Sequence, residues 1–187
     1  MDKFFKLGLV IGRYNHIHSG HTKIINQSIK LCEKTLILIG SAQESGTIRN
    51  PFTLETRKKV IEKIYNTDDV IIGALNDYTN EEDISPKWGR FILDNVKREY
   101  GIEPDLMVYG KEESRKGWFS EEDNKNFSEL LIVRDKNMLS ATELRKYMAQ
   151  DNKEEWKKFV PNEIWDMYEE LREELVQIEF YKNIKNG

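Results

Sequence analysis

Apolar residues in this 187-residue chain gather in short dense runs, and between the runs they recur at helical spacing. "KLGLVIG" (6–12), "TLILIGS" (35–41), "DVIIGALN" (69–76), "PDLMVYG" (104–110) and "ELLIVRD" (129–135) are such runs. Dense apolar runs bounded by turn residues read as strands buried on both faces. From Gly20 to Glu33 the residues Ile24, Ile25, Ile29 and Leu31 fall at helical intervals. "TLETRKKVIEKIYN" (53–66) predicts a helix capped by Thr53, with Pro51 just upstream and an apolar face of Leu54, Val60, Ile61 and Ile64. A further helix runs from Trp88 to Tyr100 and stops at Gly101. Strands that alternate with helices of this length imply βαβ units, so the pattern predicts an α/β fold with an open, mainly parallel sheet and helices on both faces. "PNEIWDMYEELREELVQIEFYKNI" (161–184) carries Ile164, Met167, Leu171, Leu175 and Ile178 on one side and predicts one long amphipathic C-terminal helix, a packing or oligomer surface.

Composition narrows the class without changing that picture. The length suits a single domain over 1–187, with a core of about 6–150 and a helical segment of about 151–187. Hydrophobic residues are 39% and charged residues 33%, the balance of an ordinary soluble protein. A net charge of −4 argues against a general nucleic-acid binder, so any anion site must be a local basic cluster. The one cysteine, Cys32, excludes a disulfide framework and a cysteine-based zinc site, and fits a reducing cytoplasmic setting. No stretch approaches the roughly 18 apolar residues of a membrane span, and no apolar export segment opens the chain.

Candidate chemistry sits where strands end. "GRYNHIHSGH" (12–21) leaves the first strand and enters a helix, and it holds all three histidines. Open α/β sheets bind ligands in that crevice. Gly12 permits a tight turn, and Gly20 lets backbone approach a bound group. His18 and His21 are three apart and share one side of the helix start, where free amides and the macrodipole favour phosphate oxygens. Arg13 adds a permanent charge. Zinc is the rival reading, but nearby carboxylates and thiols that would complete such a site are missing between Asp2 and Cys32.

Two more stretches follow the same logic. In "GSAQESGTIRNPFTLETR" (40–57), Gly40, Ser41 and Ala42 let a ligand approach the strand end, and Arg49 can reach phosphates. A well-formed loop and helix start would explain Phe52 and Thr53 equally well. In "LSATELRKYM" (139–148), Ser140 and Glu143 form a capping box, and Thr142 and Arg145 face together one turn apart. A guanidinium there can bridge two phosphate oxygens, although a cap alone also accounts for the pattern.

Together the three stretches resemble the nucleotidylyltransferase superfamily, in which a His-x-Gly-His after the first strand is paired with Ser-x-Thr-x-x-Arg after the last. They are similar in particular to the archaeal-type nicotinamide-nucleotide adenylyltransferases, including those fused to Nudix domains in bacteria. The resemblance spans residues 7 to about 172. Asn15 and His16 replace the usual Gln-Pro, and Gly46 stands where a histidine is frequent, so His16 reads as a local variant.

The resemblance implies a Rossmann-like domain that joins the AMP part of ATP to nicotinamide mononucleotide, forming NAD and releasing pyrophosphate. His18, His21 and Arg145 would be catalytic, and Arg13, Gly20, Arg49, Lys111, Ser140 and Thr142 would bind ATP. Ser41, Asp77 and Trp88 would bind the mononucleotide, with Trp88 stacked on its ring. Mg2+ would be held mainly through the ATP phosphates. Family members are often oligomeric, and the C-terminal helix offers a face for a homo-oligomer. Other acceptors (nicotinate mononucleotide, phosphopantetheine, a phospho-alcohol) and a non-enzymatic nucleotide sensor are the alternatives.

Overall fold

In the computed structural model the described residues are 3–78, 85–111, 115, 117–133 and 139–185. Five strands, β1 (Phe5–Gly12), β2 (Cys32–Ile39), β3 (Val70–Ala74), β4 (Leu106–Gly110) and β5 (Ser128–Ile132), form one sheet in the order β3-β2-β1-β4-β5. Every neighbouring pair is parallel. The predicted fold class is the one observed.

Alternation along the strands divides the core into two layers, because successive side chains in a strand point to opposite faces. Leu7, Leu9, Leu36, Leu38, Met107 and Tyr109 pack on α3 (Pro86–Tyr100) through Trp88, Ile92, Leu93 and Val96. Val10, Ile37, Ile39, Leu106 and Val108 face the other way, onto α1 (Ser19–Leu31), α2 (Leu54–Ile64) and α4 (Ala141–Ala149). Helix α3 ends as predicted, with Gly101 in the left-handed conformation at φ 70°. Gly89 is required by close approach, since a Cβ there would lie 1.8 Å from the Trp118 carbonyl oxygen.

The C-terminal segment shares the second layer. Trp156 of α5 (Lys153–Lys157), Ile164 of the segment before α6, Tyr168 and Leu171 of α6 (Tyr168–Leu175), and Tyr181 of α7 (Glu179–Lys185) are buried in the same cluster as Ile37 and Val108. The single long helix expected over 161–184 is instead a 3-10 stretch, Asn162–Met167, followed by two helices. Turn bonds from Gln177 N–H to the Glu174 carbonyl and from Ile178 N–H to that of Leu175 break the run. That break carries Tyr181 into the core, where it is fully buried. The apolar period is the same on both sides of the turn, so the pattern alone does not reveal it. Strand boundaries also shift. β2 starts at Cys32 with no loop after α1, and β3 is shorter than the 69–76 run. β5 is described only to Ile132, and residues 134 and 135 of its predicted run lie outside the described residues.

From β1 the chain steps outward to β2 and β3, then returns to β4 on the other side of β1. The crevice at the C-terminal ends of β1 and β4 is therefore the topological switch point, where α/β sheets of this kind receive ligands.

Candidate active site

The link from β1 to α1 is shaped by two unusual residues. Tyr14 is buried in the left-handed region at φ 50°, and its hydroxyl donates to the Val10 carbonyl at 3.2 Å. Gly12 does not supply the turn, as its backbone is not left-handed. Its lack of a side chain instead admits the Tyr14 ring, which a Cβ would meet at 3.0 Å. His18 caps α1, its Nδ1 accepting the Gly20 N–H at 3.0 Å. A nitrogen that accepts carries no hydrogen, so the neutral ring bears its hydrogen on Nε2. His21, in the first turn, has its ring 4.0 Å from that of His18 and 5.4 Å from that of Tyr14. The predicted histidine pair is present. Gly20 contributes its amide to His18, not to an open face.

His16 belongs elsewhere. Its Nε2 accepts the Trp156 indole N–H at 2.5 Å, and its ring stacks on Trp156 at 5.8 Å. Burial first, and then the electrostatic effects of Arg145 and of His18, push its pKa down to about 3. An imidazole facing a group that can only donate must stay neutral, which makes His16 a packing residue.

Three arginines from three different elements come within electrostatic reach of one another. Arg13 follows β1, Arg49 lies in the loop after β2, and Arg145 lies in α4. The Arg13 pKa is lowered by burial first and then by the charges of Arg49 and Arg145, which places all three within electrostatic range. Asp77 and Glu44 oppose that effect. Arg145 is 5% exposed and donates from Nη2 to the Thr142 hydroxyl at 3.1 Å, the predicted facing pair. Ser140 closes the predicted capping box with Glu143, so its hydroxyl is engaged in the helix cap.

Beneath this cluster lies Arg57 of α2, 1% exposed. Its guanidinium donates to the carbonyls of Thr53 (3.3 Å), Arg13 (3.2 Å), Gly40 (3.0 Å), Ser41 (3.1 Å) and Glu44 (3.1 Å). One planar cation thus ties the loop after β1 to the loop after β2. Asn15 adds a second tie, donating to Asn50 Oδ1 at 2.7 Å and accepting the Phe52 N–H at 3.2 Å.

Of the remaining expected residues, Ser41 and Asp77 adjoin the arginines, since Asp77 acts on both Arg13 and Arg57 and the Ser41 carbonyl accepts from Arg57. Ser41, left-handed at φ 48°, gives its N–H to Asp77 Oδ1 at 3.4 Å, so these two do meet at the ends of β2 and β3. Trp88 lies in the opposite layer, 8% exposed, stacked with Tyr78 at 5.9 Å and with Phe91 at 5.5 Å. Lys111 is exposed just past β4, its N–H bonded to the Ile132 carbonyl at 2.9 Å.

Comparison with known proteins agrees with this fold. The model of the cytidylyltransferase-like family matches residues 9–155, most of the chain. The chain belongs to the cytidylyltransferase-like family. Within that family it is 30% identical over 170 residues to a nicotinamide-nucleotide adenylyltransferase of Methanococcus vannielii, covering 87% of each protein. It is 27% identical over 170 residues to the enzyme of that name from Thermococcus sibiricus, covering 88% of this chain and 84% of the relative. The fold matches a bifunctional NMN adenylyltransferase/ADP ribose pyrophosphatase from Francisella tularensis with a TM-score of 0.71 at 22% identity. That match covers 97% of this chain and 52% of the other, so this family member spans about half the length of the bifunctional protein.

Sequence reading missed Arg57, Tyr181 and Trp156. Arg57 had a visible signal: it is three residues after Leu54 and four before Ile61, a charge on the predicted apolar face of its helix. Tyr181 lies three residues after Ile178 and reads only as one more apolar position. The His16–Trp156 pair joins residues 140 apart, which local spacing does not reveal.

Proposed function

We propose that this protein transfers the adenylyl group of ATP to the 5′-phosphate of nicotinamide mononucleotide, forming NAD and pyrophosphate. The grouping of Arg13 with Arg49 and Arg145, and of Arg145 with His18 around His16, beside the stacked His18–His21 rings, carries this reading. The acceptor is suggested by relatives named for that reaction over most of the chain.

A phosphate oxygen of the mononucleotide attacks the α-phosphorus of ATP, a new P–O bond forms, and the bond to the β-phosphate oxygen breaks as pyrophosphate leaves. The acceptor is already an anion, so the protein need supply no nucleophile. Its work is to hold two polyanions in line and to stabilise charge on the transferring and leaving groups. His18 donates from Nε2, the tautomer set by its cap to Gly20, and His21 acts beside it. Arg13, Arg49 and Arg145 neutralise the phosphates, with Thr142 holding Arg145. Lys111 reaches the nucleotide from the β4 side, and Ser140 contributes by starting α4.

Ser41 and Asp77 border the mononucleotide side of the crevice. A pyridine ring stacking on Trp88 takes the place that Tyr78, half exposed, holds against it. Among the described residues no group of three or more His, Cys, Asp or Glu is arranged to hold a metal, and the wall of the site is basic. Magnesium enters as part of the substrate, held mainly on the phosphates of ATP. In this reading residues 1–187 act as one nucleotidylyltransferase domain, since the segment from 151 onward packs in the core that supports Arg145.

The test is NAD formation from Mg·ATP with each candidate acceptor. Nicotinamide mononucleotide should be used by the wild type. His18→Ala and His21→Ala should each lower kcat by about 10²- to 10³-fold, the usual effect of removing one transition-state donor. Pyrophosphate release with nicotinate mononucleotide, phosphopantetheine or a phospho-alcohol in its place would reassign the acceptor. Normal ATP binding with no turnover of any acceptor would make the protein a nucleotide sensor.

A further inference from the structure

Arg145 is held by more than its own helix. Its Nε donates to the Tyr181 hydroxyl at 2.8 Å, and that hydroxyl donates to the Ile48 carbonyl at 3.0 Å. The direction of both bonds is dictated by chemistry. A guanidinium has no acceptor and a carbonyl has no hydrogen, so the phenol must accept from Arg145 and give its one proton to Ile48. Tyr181 is fully buried, and Arg145 also lies over the edge of its ring, 6.0 Å from the centroid.

Two of the guanidinium nitrogens are thereby anchored, Nε to Tyr181 and Nη2 to Thr142. The plane of the group is fixed, and the Nη1 hydrogens, which bond no described residue, are left to meet an anion. Ile48 immediately precedes Arg49, so the carbonyl that orients the phenol belongs to the loop carrying the second arginine. Helix α7 in this way reaches the phosphate side of the site without touching substrate.

We propose that Tyr181 is a positioning residue that fixes the Arg145 guanidinium for ATP phosphates, a role that rests on the adenylyl-transfer reading above. A phenylalanine would fill the same space and leave Nε without its acceptor. Tyr181→Phe should therefore raise KM for ATP about tenfold, the scale of one hydrogen bond to a charged group, and leave KM for nicotinamide mononucleotide close to wild type, with Tm lowered by a few degrees for the lost buried hydrogen bonds. Inorganic tripolyphosphate, measured by calorimetry, should bind the variant about tenfold more weakly, by the same reasoning. In an Arg145→Lys background, which has no Nε to hold, the same change should alter KM for ATP less than twofold, as coupled partners do in a double-mutant cycle.

A tenfold effect that persists in the Arg145→Lys background would overturn the proposal, because the hydroxyl would then act by another route. Wild-type KM and tripolyphosphate affinity in Tyr181→Phe would overturn it too. Should the variant fail to fold, hydrogen exchange at Arg145 Nε in the wild type decides: slow exchange is expected, and exchange as fast as that of a solvated arginine excludes the bond. The two readings fail separately. A wild type that forms no NAD sinks the proposed reaction, while the tripolyphosphate measurement still tests Tyr181.

Discussion

His16 shows how one buried side chain sets a pH limit for the whole chain. Its pKa lies near 3 in the folded protein, against an ordinary value of 6.5, chiefly because burial disfavours the charged ring. Between those two values the unfolded chain binds a proton that the folded chain does not. Stability from this residue is therefore complete above about 6.5 and is lost progressively as pH falls toward 3. The urea midpoint of the wild type should fall between pH 7 and pH 4. His16→Gln, which can still accept from Trp156 but does not titrate, should flatten that slope. An equally steep fall in the variant would show that other groups govern acid sensitivity.

At the scale of elements, helix ends matter more than helix faces. Helix α2 begins at Thr53, whose side chain accepts the Thr56 N–H at 3.1 Å, as its sequence predicts. A second cap comes from α6: Glu174 accepts the Thr53 N–H at 2.6 Å and the Thr56 hydroxyl at 2.7 Å. This carboxylate docks the C-terminal segment onto the helix that carries Arg57. Glu174→Ala should cost about 1 kcal/mol, a typical cap, and lower Tm by roughly 2–4 °C in a chain of this size. Calorimetry checks it, and an unchanged Tm would mean that water replaces the carboxylate without loss. The capping box at Ser140, the Thr53 cap and the Gly101 stop were legible because they are local. The bend at 176–178 was not, because a helical period survives it.

Across the whole molecule, a chain of net charge −4 gathers three arginines at one mouth. Their mutual repulsion is relieved when an anion binds, so the folded state gains from its ligand. At about 100 times Kd, Mg·ATP should stabilise the protein by roughly 2.7 kcal/mol, which raises Tm by several degrees. The shift should shrink as salt rises, since Arg49 is exposed and Arg13 half-buried, where salt screens them. A thermal scan with and without nucleotide at two salt concentrations tests this, and a salt-independent shift would point to a neutral binding mode. No helix among the described residues is long and apolar enough to cross a membrane.

What the sequence by itself determined lies in periodicities and short motifs: alternating strands and helices, the place of "GRYNHIHSGH" between the first strand and its helix, the histidine pair, and the Thr142–Arg145 turn. Each depends on residues within a few positions of one another, where backbone geometry alone dictates which side chains meet. Tertiary structure decided the rest. It assigned His16 to Trp156, placed Trp88 in a packed aromatic layer, laid Arg57 under two loops, and brought Tyr181 to Arg145. Those contacts join positions far apart in the chain, and buried polar groups must find their partners wherever the fold supplies them.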